Sequence, residues 1–91
     1  MTRAEFRVFS VHYAELLSDI AYIKWAQSIV AYGNFTDILN ASIKRGKAER
    51  EIKDFQNGIK TKHGKLALIA VQIRGHIMYK IEMNSRKRGL W

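Results

Sequence analysis

Apolar residues recur every three or four positions along most of the chain, which is the period of an α-helix. The first repeat is carried by Phe6, Phe9, Tyr13, Leu16, Ile20, Ile23 and Val30. Gln27 is its only polar interruption, and Gly33-Asn34 ends it. The segment opens with Thr2-Arg3-Ala4-Glu5, a capping-box pattern. In this pattern the threonine hydroxyl and the glutamate carboxylate each accept a hydrogen bond from the backbone N–H of the other residue. We predict one long helix, in preference to the strand alternation that residues 6–13 alone would allow.

A second apolar face runs beside the first on this helix. It contains Val8, Val11, Tyr22, Trp25, Ile29 and Tyr32. A helix that is apolar on so much of its surface is covered from more than one side. We therefore expect a homodimer through this helix, or a bound protein. The alternative is a platform on which the aromatic rings stack against nucleic-acid bases.

The second segment begins near Asn34 or Thr36, both frequent N-cap residues, and Asp37 falls in its first turn. Its repeat contains Ile38, Ala41, Ala48, Ile52, Phe55 and Ile59. Arg45 falls on this apolar face.

Gly46 divides the second segment into two predicted shorter helices, 35–44 and 47–57, or leaves it continuous. Asn57-Gly58 is a plausible C-terminal cap, and a polar loop is predicted at 60–65. If the chain turns at Gly46, a helix-turn-helix arrangement is possible. The second helix would then present Arg50, Lys53 and Gln56 to a DNA groove.

The third segment runs from Leu66 to about Ser85. It places Leu66, Ala70, Ile73, Ile77 and Ile81 on one face. A hairpin of 66–73 and 76–83 around Arg74-Gly75 is the alternative. The predicted fold class is all-α: a small three- to four-helix bundle, one domain over 1–91, with a long first helix and a flexible basic tail at 86–91.

Length and composition restrict the class of protein. The chain has 91 residues, 47% of them hydrophobic, and no cysteine. Its longest apolar run, 66–71, has six residues, whereas a membrane-spanning helix needs about 20. We expect a soluble, cytoplasmic protein without disulfides and without a membrane partner.

Charge is distributed unevenly along the chain. Sixteen Lys and Arg stand against eight Asp and Glu, a net charge of +8. Residues 1–40 carry three basic and four acidic groups, whereas residues 41–91 carry thirteen basic and four acidic ones. So strong a concentration of one sign predicts a polyanionic partner, since cations along a chain bind phosphates and release their counterions.

The candidate nucleic-acid-binding residues lie in the second half of the chain. They are Lys44, Arg45, Lys47, Arg50, Lys53, Lys60, Lys62, Lys65, Arg86, Lys87 and Arg88. Glu49, Glu51 and Asp54 interrupt the series and can pair with it at helical spacing, which is the alternative of a salt-bridged solvated surface. The terminal Trp91 is either a stacking residue or a packed terminus.

Catalytic and metal chemistry receive little support. The three histidines have neither cysteine partners nor the i, i+4 spacing of a helical zinc site. Arg7 and His12 form an Arg-x4-His pattern that resembles the short motif of helical HEPN-type ribonucleases, although here it lies in the first helix rather than a later one. We predict no catalytic residues, no metal and no cofactor.

Two functions are consistent with these observations. The first is a non-catalytic nucleic-acid-binding protein that recognises phosphates, with RNA or single strands slightly favoured over duplex DNA. The second is a small inhibitor or adaptor that docks on a host protein or nucleoprotein, such as a nuclease or toxin. A basic agent acting on anionic membranes is disfavoured, because the basic segments have too little contiguous apolar face.

Overall fold

Three long helices make up the chain: α1 Arg3–Val30, α2 Phe35–His63 and α3 Lys65–Leu90. The computed structural model describes the backbone of residues 1–30 and 34–90 and the side chains of residues 1–28 and 34–85. Within these ranges there is no strand, so the hairpin alternative for α3 is wrong and the all-helical prediction is confirmed. Tyr32, Gly33 and Trp91 lie outside the described residues.

The first two helices begin with side-chain caps. The Thr2 backbone N–H donates to Glu5 Oε1 at 3.2 Å, and the Glu5 N–H donates to Thr2 Oγ1 at 3.1 Å, which confirms the capping box. The backbone N–H and then the hydroxyl of Thr2 lower the pKa of Glu5 by stabilising its charged form. Asn34 caps α2 by accepting from the Asp37 N–H at 2.9 Å.

Gly46 does not interrupt α2, which runs continuously to His63. The chain reverses instead at Gly64, whose φ of 91° lies in a region that residues with a Cβ rarely adopt. The predicted break at Gly46, the cap at 57–58 and the loop at 60–65 are therefore wrong, and so is the helix-turn-helix arrangement. A glycine inside a helix costs only about 1 kcal/mol relative to alanine, which the flanking helix formers and the contacts with α1 outweigh.

The three helices form a thin layer rather than a sphere. The Cα atoms extend over 47 × 32 × 15 Å. Among the described side chains four apolar ones are buried: Ala14, Leu16, Ile59 and Val71. So small a core leaves much of the apolar surface of each helix in contact with solvent.

An aromatic cluster joins α1 to α2. The Phe9 ring meets Phe55 edge-on, with centroids 6.1 Å apart, and the His12 ring meets the same phenyl group at 4.8 Å. Tyr13 lies nearly parallel to Phe55 at 6.3 Å. At the far end Gln27 of α1 donates to Ser42 Oγ of α2 at 3.2 Å. The two helices are therefore antiparallel.

Small residues, not large ones, bring α1 and α3 together. Ser10 and Ala14 of α1 are buried, as are Val71 and Gly75 of α3. A Cβ placed on Gly75 would lie 2.9 Å from the Ser10 carbonyl oxygen and 2.6 Å from Cδ1 of Tyr13. The buried Ser10 hydroxyl is satisfied within its own helix, because it donates to the Phe6 carbonyl at 2.7 Å.

This close approach determines which face of α3 packs inward. The face that carries Leu66, Ala70, Ile73, Ile77 and Ile81 is exposed, and the opposite face, around Val71 and Gly75, is buried. Gly75, which has no Cβ, allows the backbones of α1 and α3 to come this close.

The C-terminal basic segment continues the third helix. α3 extends through Leu90, so the predicted helix end near Ser85 is too early. The side chains of Arg86, Lys87 and Arg88 lie outside the described residues.

Candidate nucleic-acid interface

Seven of the predicted cationic site residues belong to a single helix, α2. They are Lys44, Arg45, Lys47, Arg50, Lys53, Lys60 and Lys62. Lys65 is the first residue of α3. Because α2 is unbroken, the spacing of these residues along the sequence translates directly into positions on one rod, with a rise of about 1.5 Å per residue.

Arg45 differs from the other six. It is half-buried, its Nε donates to Glu49 Oε1 at 3.1 Å, and its Nη1 donates to Gln27 Oε1 at 3.3 Å. Since Gln27 also binds Ser42, this guanidinium belongs to a hydrogen-bonded network that joins α1 to α2. Arg45 therefore has a structural role, consistent with its position on the apolar repeat.

The six remaining cations of α2 are exposed, and they follow a band around its outer half. Arg50, Lys53 and Lys60 share one side of this band, at spacings of three and seven residues. Lys44 and Lys47 share the other side. Among the described residues, Arg45 is the one Lys or Arg that forms an ion pair with a carboxylate, so the structure does not show the band neutralised by salt bridges.

Two exposed carboxylates, Glu51 and Asp54, lie within this band. They lower the local positive charge but do not cancel it, because six cations surround them. We call this set of six lysine and arginine side chains (44, 47, 50, 53, 60 and 62) the basic band.

A shallow cleft of about 320 Å³ lies where the basic band meets α1. Its lining consists of Asp19, Tyr22, Ile23, Lys44, Lys47, Ala48 and Glu51. The Tyr22 ring is 65% exposed, and its centroid lies 5.8 Å from the 53% exposed Trp25 ring at an interplanar angle of 36°. Tyr22 therefore lines the same cleft as Lys44 and Lys47, and the Trp25 ring lies next to it on α1.

The exposed Tyr22 and Trp25 rings belong to the second apolar face predicted for α1. Val8 and Val11 of that face are exposed as well. Neither α2 nor α3 covers this face at the described positions, so its rings are available for a ligand or a partner. The side chain of Ile29 and residue Tyr32 lie outside the described residues.

The histidines of α1 and α2 serve the contact between these helices. His12 packs on Phe55, and its Nδ1 lies 3.9 Å from Glu15 Oε2. The His63 ring is tilted by 51° against the Phe9 ring, with centroids 5.7 Å apart, and its Nε2 lies 3.7 Å from Glu5 Oε2. These contacts join the end of α2 to the start of α1. The described side chains contain no group of three or more His, Asp or Glu residues placed to hold a metal ion.

Comparison with known protein families, with curated proteins and with solved structures found no match for this chain. Of the helices in the described part of the chain, none is sufficiently long and apolar to cross a bilayer.

Proposed function

We propose that this protein binds single-stranded nucleic acid, preferentially RNA, without catalysing a reaction on it. The basic band would hold the sugar-phosphate backbone, and the Tyr22–Trp25 pair would stack on bases. The observation that carries the proposal is the exposed Tyr22, which lines a cleft with Lys44 and Lys47 of the basic band and has the exposed Trp25 ring beside it. Proteins that bind single strands without sequence preference combine these two features.

The dimensions of α2 suit an extended strand. From Lys44 to Lys62 the helix axis covers roughly 27 Å at 1.5 Å per residue, a length that spans several nucleotides. The cleft beside Lys44 and Lys47 also contains Asp19 and Glu51. Carboxylates at that position would accept hydrogen bonds from the exocyclic amines of stacked bases and would repel a phosphate. Phosphates would therefore lie on α2 outside the cleft.

A charge-neutralising variant tests the phosphate contacts. Lys47, Arg50 and Lys53 changed together to glutamine should weaken binding to a mixed-sequence strand of about 20 nucleotides by roughly 10- to 100-fold, with RNA and DNA reduced alike. Arg45 stays unchanged because it connects α1 to α2. Fluorescence anisotropy at low salt measures the effect.

The matched control removes the same charge elsewhere. Arg3, Arg7 and Lys24 are three exposed cations of α1 outside the basic band. Their replacement by glutamine should change the affinity by no more than about threefold, through long-range electrostatics alone. Equal losses in the two triple variants would show that net charge, and not the basic band, governs binding.

A second pair of variants tests base stacking. Trp25→Ala should lower single-strand affinity about 5- to 100-fold, the range for losing one stacked base, and should leave the salt dependence unchanged. Trp25→Phe retains a ring and should restore most of the loss. If Trp25→Ala binds like the parent protein, the aromatic pair has no part in binding.

The exposed α1 face also favours a second function, in which this protein is a small inhibitor or adaptor that docks on a host protein or nucleoprotein. The observation behind it is the row of exposed apolar residues on that face: Val8, Val11, Tyr22 and Trp25. Capture from a cytoplasmic lysate with and without nuclease separates the two functions. A partner retained after nuclease treatment and lost in the Trp25→Ala variant would support direct protein contact.

A further inference from the structure

The outer face of α3 is an apolar stripe that neither α1 nor α2 covers. We call it the α3 stripe, and it consists of Leu66, Ile69, Ile73, Ile77 and Ile81, which are between 40% and 83% exposed. It extends over roughly 22 Å of helix at 1.5 Å per residue, about four turns. Arg74 lies along its edge, and Lys80 lies beside Ile77 and Ile81, seven residues after Ile73. Contiguous apolar surface of this extent marks an interaction site far more often than a solvated face.

The spacing of the α3 stripe is nearly symmetric about its centre. Ile69 and Ile77 each lie four residues from Ile73, and Leu66 and Ile81 lie seven and eight residues from it. When two such helices run antiparallel around a two-fold axis at Ile73, Ile73 meets its own copy and Ile69 meets Ile77, while Leu66 lies between Lys80 and Ile81 of the second copy. Self-complementarity of this kind is what an isologous interface requires, since the same patch serves both partners.

We propose that the α3 stripe binds the α3 stripe of a second copy of this chain, antiparallel and with the two-fold axis at Ile73. The expected homodimer thus forms through α3 instead of α1. The second apolar face of α1 suits this role less well, because Glu15 and Asp19 are exposed on it between the valines and the aromatic rings.

Two properties of this pairing follow from its composition. One helix face per partner is at the lower end of specific interfaces, which bury about 800 Å² on each side, so monomer and dimer should exchange with concentration. The two-fold axis also brings Arg74 near its symmetry mate in the second copy. Salt screens this repulsion and that between two chains of charge +8, so association should strengthen as salt rises. Nucleic-acid binding has the opposite salt dependence, and the inference does not rest on it.

Sedimentation equilibrium on the nuclease-treated full chain tests the proposal. The parent protein should shift from monomer to dimer between about 5 and 500 µM, with a larger dimer fraction at high salt. Ile73→Asp places a carboxylate at the centre of the interface and should weaken dimerisation at least about tenfold. Ile43→Asp on α2 is the matched control, since Ile43 is 57% exposed and Ile73 58%. Circular dichroism verifies that both variants stay helical.

Introduced single cysteines report the register of the two paired α3 helices, because the chain has no cysteine of its own. Under oxidised glutathione, Ile73→Cys should form a disulfide with its own copy. Ile81→Cys should not do so, but should cross-link to Leu66→Cys when the two variants are mixed. A mass that stays monomeric at every concentration would overturn the proposal, as would equal weakening by the two aspartate variants. Self-linking at position 81 without linking at position 73 would also contradict it.

Discussion

A fourfold rise in salt, from about 50 to 200 mM, is expected to weaken single-strand binding by this protein roughly 300-fold. The basic band presents six exposed cations. If each contacts one phosphate, the logarithm of affinity falls with the logarithm of salt at a slope of about −4, since each contact with a single strand contributes about −0.7. An anisotropy titration at four or five salt concentrations measures this slope directly.

The slope also tests which residues make the contacts. The Lys47, Arg50 and Lys53 triple variant should have a slope shallower by about 2, because three counterion-releasing contacts are removed. The α1 triple variant should keep the parental slope. An affinity that barely responds to salt would mean that phosphates are not what the protein binds, and the docking function would then become the better account of the structure.

The second large effect is expected at Gly75, where alanine should destabilise the fold although it favours helices. The new methyl group would lie 2.9 Å from the Ser10 carbonyl oxygen and 2.6 Å from Tyr13 Cδ1. A backbone oxygen cannot move aside without shifting α1. Overpacking of this kind costs about 1–3 kcal/mol, against a gain in helix propensity of about 1 kcal/mol. We expect a net loss of up to about 2 kcal/mol, which lowers the Tm by up to roughly 16 °C in a domain of this size.

Replacement of Gly46 by alanine is expected to raise stability, whereas the same replacement at Gly75 lowers it. A Cβ at Gly46 meets nothing within 4 Å, so Gly46→Ala should gain stability by about 0.5–1 kcal/mol from helix propensity alone. Thermal or urea denaturation followed by circular dichroism compares the two variants. If both raise stability, the contact between α1 and α3 is looser than the structure indicates.

Helix type and helix starts could be predicted from the sequence, because they depend on local features. The three-four repeat predicts α1, and the caps at Thr2 and Asn34 are local hydrogen-bonding patterns that the structure confirms. The end of α2 could not be placed. Both Gly46 and Gly64 permit a break, and the choice depends on contacts with α1 that no local pattern contains.

The orientation of α3 could not be predicted from the sequence for a related reason. Periodicity identifies large apolar residues as the inward face, but the contact with α1 is made by residues that hydrophobicity ranks low, such as Ser10 and Gly75. The depth at which two helices pack depends on side-chain volume as well as polarity. Among the site residues, Arg45 could have been separated from the others, because it alone falls on the apolar repeat of α2. The cleft at Tyr22 could not, since it needs two helices side by side.

The joint at Gly64 has a consequence for how the two proposed surfaces act together. One residue, with φ of 91°, connects the helix that carries the basic band to the helix that carries the α3 stripe. The angle between these surfaces therefore depends on the φ and ψ of this one residue, because no longer loop separates the two helices. In a two-fold dimer both copies have the same angle between α2 and α3. This angle therefore determines whether the two basic bands face one nucleic-acid strand or two.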